Sequence, residues 1–163
     1  MSSVPRRSGC PLDDMSAESA MAKVRNDVER YGWHCLHVYP REGEDGVGFT
    51  YTIGLEKTLG HPEIAIFGLD RETSHKILAD CVDEIRSGTQ RPLDEPVVGV
   101  VGGDVPVMFR AVRDDRLGDC FGTAIRFYAN QTFRAVVMFW PTKSGKWPWE
   151  IEDSLQSEGA HVV

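Results

Sequence analysis

The sequence predicts a single α+β domain, with a mixed or mostly antiparallel sheet of about five or six strands and two or three helices. Three observations carry that expectation. Ala17, Met21, Val24, Val28 and Tyr31 recur at helical spacing and mark one apolar face. Val47, Phe49, Tyr51 and Ile53 alternate with Gly48, Thr50 and Thr52, the period of a strand with one apolar and one small-polar side. With 163 residues, 41% apolar and 26% charged, the chain is long enough to fold around one core without disulfides or a structural metal.

Residues 1–14 are polar, contain Pro5 and Pro11, and read as a flexible lead-in to a domain spanning 15–151. The first helix runs from Ser16 to Tyr31, and Gly32 supplies the left-handed residue that ends it. Trp33 to Tyr39 is β-prone and closed by Pro40, so it forms a strand; with the alternating run it makes a hairpin across the turn-rich loop Arg41–Gly46. Gly54 to Pro62 reads as a loop, and Ile64–Phe67 as a buried strand. Asp70 then caps a second helix whose stripe is Ile77, Leu78, Cys81, Val82 and Ile85, ended by Ser87-Gly88. Val97–Val101 and Val105–Val112 suggest a second strand pair, with Pro106 confining its strand to an edge or a start position. Leu117, Phe121, Ile125 and Tyr128 fit a third helix that Gly118 and Gly122 weaken, and Thr132–Trp140 is apolar on both faces, as a central strand is. Residues 152–163 turn polar and read as a flexible tail.

Charge and cysteine usage exclude several classes. Eighteen basic against 25 acidic residues leave a net charge of −7, which repels phosphate backbones and argues against nucleic-acid binding. Cys10, Cys35, Cys81 and Cys120 have none of the short spacings of a zinc or redox motif, and no metal site is expected. No apolar core of a signal peptide follows Arg6-Arg7 and no run is long enough to cross a membrane, so the expectation is a reducing cytoplasm. No phosphate loop, nucleophile elbow or zinc helix occurs.

The candidate chemistry lies elsewhere. His61 and Glu63 stand two residues apart, so on extended chain they would face the same way and could converge on a ligand; His61 could equally cap the loop and Glu63 pair with a basic residue. Tyr51, Thr52 and Gly54 lie beside them as candidate ligand-binding positions. Trp147 and Trp149 flank Pro148, where they could clamp a planar ligand or pin the chain end to the core. His34 reads as a packed or edge histidine, His75 as structural, and Arg110, Arg126 and Arg134 form an anion site only if the fold gathers them.

Several phrases taken together, Gly32-Trp33, Gly48-Phe-Thr-Tyr-Thr-Ile-Gly-Leu55, Gly60-His-Pro-Glu63, Val105-Pro-Val-Met-Phe-Arg110, Phe127-Tyr128 and Trp140-Pro141, resemble the domain-of-unknown-function 4262 family of bacterial proteins over roughly residues 25–149. The resemblance carries over no activity. It directs attention to Tyr51, Thr52, Gly54, Leu55, His61, Pro62 and Glu63, and departs where Thr142 follows Trp140-Pro141 in place of the family's usual Asp.

Three functions are weighed. One is a binding or regulatory module, of accessory, immunity-like or defence-related type, with its site around Tyr51–Glu63 and an unidentified protein or small molecule as partner. The second is an enzyme or small-ligand protein using His61 and Glu63 as acid/base or ligand pair. The third, a flavin or other planar-cofactor domain, would stack its ring on Trp147 and Trp149.

Overall fold

The computed structural model describes residues 11–163. Its order is α1 (Pro11–Tyr31), β1 (His34–Val38), β2 (Phe49–Ile53), α2 (Leu55–Leu59), β3 (Glu63–Phe67), α3 (Arg71–Arg86), β4 (Pro96–Val97), β5 (Val107–Ala111), α4 (Leu117–Cys120), α5 (Gly122–Tyr128), β6 (Ala135–Phe139) and α6 (Ser157–Val162). The strands form one sheet in the order β1-β2-β3-β6-β5-β4. Only β3 and β6 run parallel; every other neighbouring pair is antiparallel, so the sheet is mixed as expected.

Helices cover both faces of this sheet, and strand period decides which side chains meet which helix. On one face Ala65, Phe67, Ala135, Val137 and Phe139 pack with Met21, Val24 and Val28 of α1 and Phe121 and Tyr128 around α5. On the other, Ile64, Ile66, Val136 and Met138 pack with Leu78, Cys81 and Val82 of α3. Asp70 caps α3 as expected, its Oδ1 accepting from Thr73 N at 2.8 Å.

Among the described residues the helices number six rather than two or three. The expected 54–62 loop contains α2. The expected third helix is broken into α4 and α5 at Phe121, whose ψ of 35° leaves the helical region. Strand β2 is buried on both faces, with Thr50 and Thr52 fully covered, because α3 lies over the threonine side. Tyr31 ends the first helix but is 56% exposed, outside the core.

The described chain ends carry secondary structure. Residues 1–10 of the expected lead-in lie outside the described residues, and 11–14 begin α1. Within residues 152–163, Val162 enters the core, and buried Gln156 donates to Trp140 O at 2.9 Å and accepts from Trp140 N at 3.1 Å. The side-chain amide satisfies the strand end as another strand would, so a polar residue is buried without penalty.

Candidate functional site

The structure separates His61 from Glu63. Residue 61 precedes β3, so the two-residue alternation of extended chain does not align the side chains.

Glu63 is fully buried at the start of β3, beyond Tyr51–Ala65, the last registered pair of β2 and β3. Its carboxylate accepts from Thr52 Oγ1 at 2.7 Å, Gly54 N at 2.9 Å, Leu55 N at 3.2 Å and Glu56 N at 3.4 Å, and from the Tyr128 hydroxyl. The three amides are the open N-terminus of α2, so Glu63 serves this helix as an anion would, from across the sheet. Thr52 accepts in turn from Ile64 N at 2.9 Å, which fixes its proton toward Glu63. Burial pushes the Glu63 carboxyl above its ordinary range, against the pull of these donors, and pushes the Tyr128 phenol up as well.

Gly54 is demanded by the same construction. Its φ of 112° is left-handed, and a Cβ there would stand 2.8 Å from Val28 Cγ2. The far side of α2 is tied by Arg134, whose Nε and Nη2 donate to Glu56 at 2.9 and 2.8 Å, with Nη2 also reaching Gly60 O at 2.9 Å. Tyr51 is a core residue, 1% exposed, with Phe49 stacked beside it and Phe121 edge-on.

His61 sits on the rim of a cleft of about 310 Å³ on the α3 side of the sheet. Ile64, Ile85, Phe109 and Val136 form its apolar floor, and Arg91 and Arg134 share the rim. His61 Nδ1 donates to Pro62 O at 2.7 Å, which leaves Nε2 as the acceptor of a neutral ring. Burial holds this imidazole below its ordinary pKa, outweighing the Pro62 hydrogen bond, so the neutral form is favoured. Arg91 is tied to Glu84 at 2.5 Å.

Trp147 and Trp149 stack on each other, with centroids 5.6 Å apart and planes 3° from parallel. Phe139 meets Trp149 edge-on, and the Arg110 guanidinium lies 3.7 Å from its ring centroid. The pair therefore anchors residues 147–149 to the sheet. Arg110, Arg126 and Arg134 are not gathered: Arg110 covers Trp149, Arg126 is exposed on α5, and Arg134 holds Glu56. Arg91, Ile85 and Phe109 join His61 only in three dimensions, and no spacing in the chain announces them.

Among the described residues, no group of three or more His, Cys, Asp and Glu is placed to hold a metal. No described helix is long and apolar enough to cross a membrane.

A mixed six-stranded sheet with the Tyr51–Glu63 segment locked onto its own helix defines an α+β domain, with the His61 cleft beside that segment. The profile of a family described as "Domain of unknown function (DUF4262)" matches residues 27–153, and the chain belongs to that family. No curated protein and no solved structure matches the chain.

Proposed function

We propose that this protein is a binding module that takes a small molecule in the cleft beside His61. The observation that supports the reading is chemical contrast: an apolar floor of Ile64, Ile85, Phe109 and Val136 under a rim that offers a neutral acceptor, His61 Nε2, and two guanidinium groups. Such a lining favours a compact, mostly apolar ligand with one hydrogen-bond donor for His61 Nε2 and one acceptor for the N–H groups that Arg91 and Arg134 keep beyond their pairs with Glu84 and Glu56. Its volume of about 310 Å³ lies at the small end of the range usual for ligand pockets. Glu63 takes no part, because its lone pairs are already filled by donors of α2, Thr52 and Tyr128. A base without its orienting acid favours binding over acid/base turnover, and with it a sensing or regulatory role. A reducing cytoplasm is the setting this reading expects, supported by Cys35 and Cys81 lying in apolar surroundings as thiols.

The test is titration of 15N-labelled protein with 4-hydroxybenzoate, which carries a donor, a flat apolar ring and a carboxylate. Amide shifts are expected at Gly60, His61, Gln90 and Arg91. His61→Ala and Arg91→Ala should each weaken binding by about tenfold, the size of one lost charged or buried hydrogen bond. Unmoved amides at these positions, or affinity indifferent to both substitutions, would refute the assignment.

A further inference from the structure

A second cleft, of about 740 Å³, opens on the other flank of α3, between the C-terminal half of α1 and the free edge of β1. We infer that it is a binding site for a phosphate monoester of a planar aromatic molecule. Three fixed cations line it, Lys23 and Arg30 from α1 and Arg86 from α3, together with the imidazoles of His34, His37 and His75. They come from three elements of a chain whose net charge is −7.

Local structure accounts for part of this charge. Arg30 and Arg86 each stand in the last turn of a helix, where a cation is favoured, and Arg86 Nη2 donates to Tyr31 O, the end of α1. The remainder is decided by magnitude. Each helix end contributes about half a negative charge. Asp27, the acid of the lining, contributes one more, engaged with His34 Nδ1 at 2.7 Å and Lys23 Nζ at 3.3 Å, and Asp83, 3.4 Å from Arg86 Nη1, contributes another. Three full cations match that sum, so the cleft carries no net negative charge in a chain of net charge −7, and each of its three imidazoles that takes a proton makes it positive. Like charges gathered beside low-dielectric walls focus the field on an incoming anion.

The shape of the charge distribution selects phosphate. A carboxylate matches one guanidinium edge to edge, whereas the oxygens of a phosphate monoester can be shared among donors that arrive from separate elements. The same cleft offers aromatic faces: Trp33 stacks on His75, with centroids 5.9 Å apart, and Tyr31 stands 56% exposed at the rim with the Arg30 guanidinium 5.8 Å from its ring centroid. A flat ring laid against Trp33 or Tyr31 gains stacking while its phosphate meets Lys23, Arg30 and Arg86. This site shares none of its lining with the cleft beside His61 and stands independently of it.

The experiment is calorimetric titration of the full chain with phenyl phosphate, and separately with inorganic phosphate and with phenol, accompanied by amide-shift mapping. Phenyl phosphate should bind and move amides within residues 31–37 and 75–86. Inorganic phosphate and phenol should each bind at least about tenfold more weakly, because each keeps only one of the two contributions. The double variant Lys23→Ala/Arg30→Ala should lose at least about tenfold in affinity. Its melting temperature should stay near that of the parent, since both side chains are exposed. Arg126→Ala, exposed on α5 and outside both clefts, should leave phenyl phosphate binding unchanged. The inference is overturned if phenyl phosphate fails to bind at millimolar concentration, if inorganic phosphate binds as tightly, or if the double variant binds undiminished.

Discussion

Glu63 and Tyr128 stand 65 residues apart in the chain and meet inside the core, where the tyrosine hydroxyl donates to the carboxylate. The contact ties the end of α5 to the start of β3, and through Glu63 to the first amides of α2. Removing the carboxylate strands five donors in a space sealed from water. Glu63→Ala should therefore cost at least about 3 kcal/mol, and Tyr128→Phe, which keeps the ring against Phe133, about 2 kcal/mol. Glu63→Gln should fall between Ala and the parent, because its amide nitrogen would face N–H and O–H donors. Urea denaturation followed by circular dichroism measures all three; a Glu63→Ala protein as stable as the parent would refute the capping role.

Gly54 and Gly60 flank α2 with positive φ values of 112° and 66°, yet they should respond differently to alanine. At Gly60 a Cβ meets nothing within 4 Å, so the cost is that of a left-handed alanine, about 1 kcal/mol. At Gly54 the added methyl also strikes Val28 and lies 3.2 Å from Gly32 O, inside the α1 contact. Gly54→Ala should cost at least about twice as much as Gly60→Ala, read from denaturation midpoints at equal slopes. Equal costs would mean that α1 yields freely.

How far the sequence reveals this arrangement depends on whether the cause is local. The α1 stripe and the Asp70 cap have causes within a few residues and are legible. Helix α2 is not, because five residues cannot nucleate alone and its N-terminus is satisfied by a glutamate on another element. His61 and Glu63 attract attention as a pair on the assumption of extended chain, which holds only from Glu63 onward. Thr50 and Thr52 read as the small-polar side of a strand, whereas α3 covers them and Thr52 spends its hydroxyl on Glu63. Arg91 carries no sequence signal, and Arg134 draws notice only as one of three scattered arginines, since only the fold brings the two to one rim.

Ala129 offers a gain rather than a loss. Its φ of 53° and ψ of −111° follow α5, and Gln131 N donates to Tyr128 O at 2.9 Å, closing a tight turn with Ala129 at its first central position. Those angles suit a type II′ turn, where glycine is favoured because it has no Cβ. The side chain is exposed, so nothing is lost by removing it. Ala129→Gly should stabilise the fold by about 1 kcal/mol, the relieved strain exceeding the extra entropy of the unfolded chain. A thermal midpoint lower than the parent's would refute this.

Acid sensitivity should come from two imidazoles that the fold keeps neutral. Burial lowers the pKa of His37, reinforced by Arg71, His75 and His34. Burial likewise lowers that of His61, with Arg134 and Arg91 adding to it and the Pro62 carbonyl and Glu56 opposing. In the unfolded chain both titrate near about 6.5. Above that pH neither state binds the proton and stability is at its full value. Below it the unfolded chain binds protons that the folded chain refuses, so stability falls as pH drops from about 6.5 through each folded value, by about 1.4 kcal/mol per unit of depression per histidine. Denaturation curves at about pH 7.5 and about pH 5.5 should therefore separate the parent more than the double variant His37→Gln/His61→Gln, which has lost both groups. If the variant shows the same loss between the two pH values, the acid sensitivity resides in other groups.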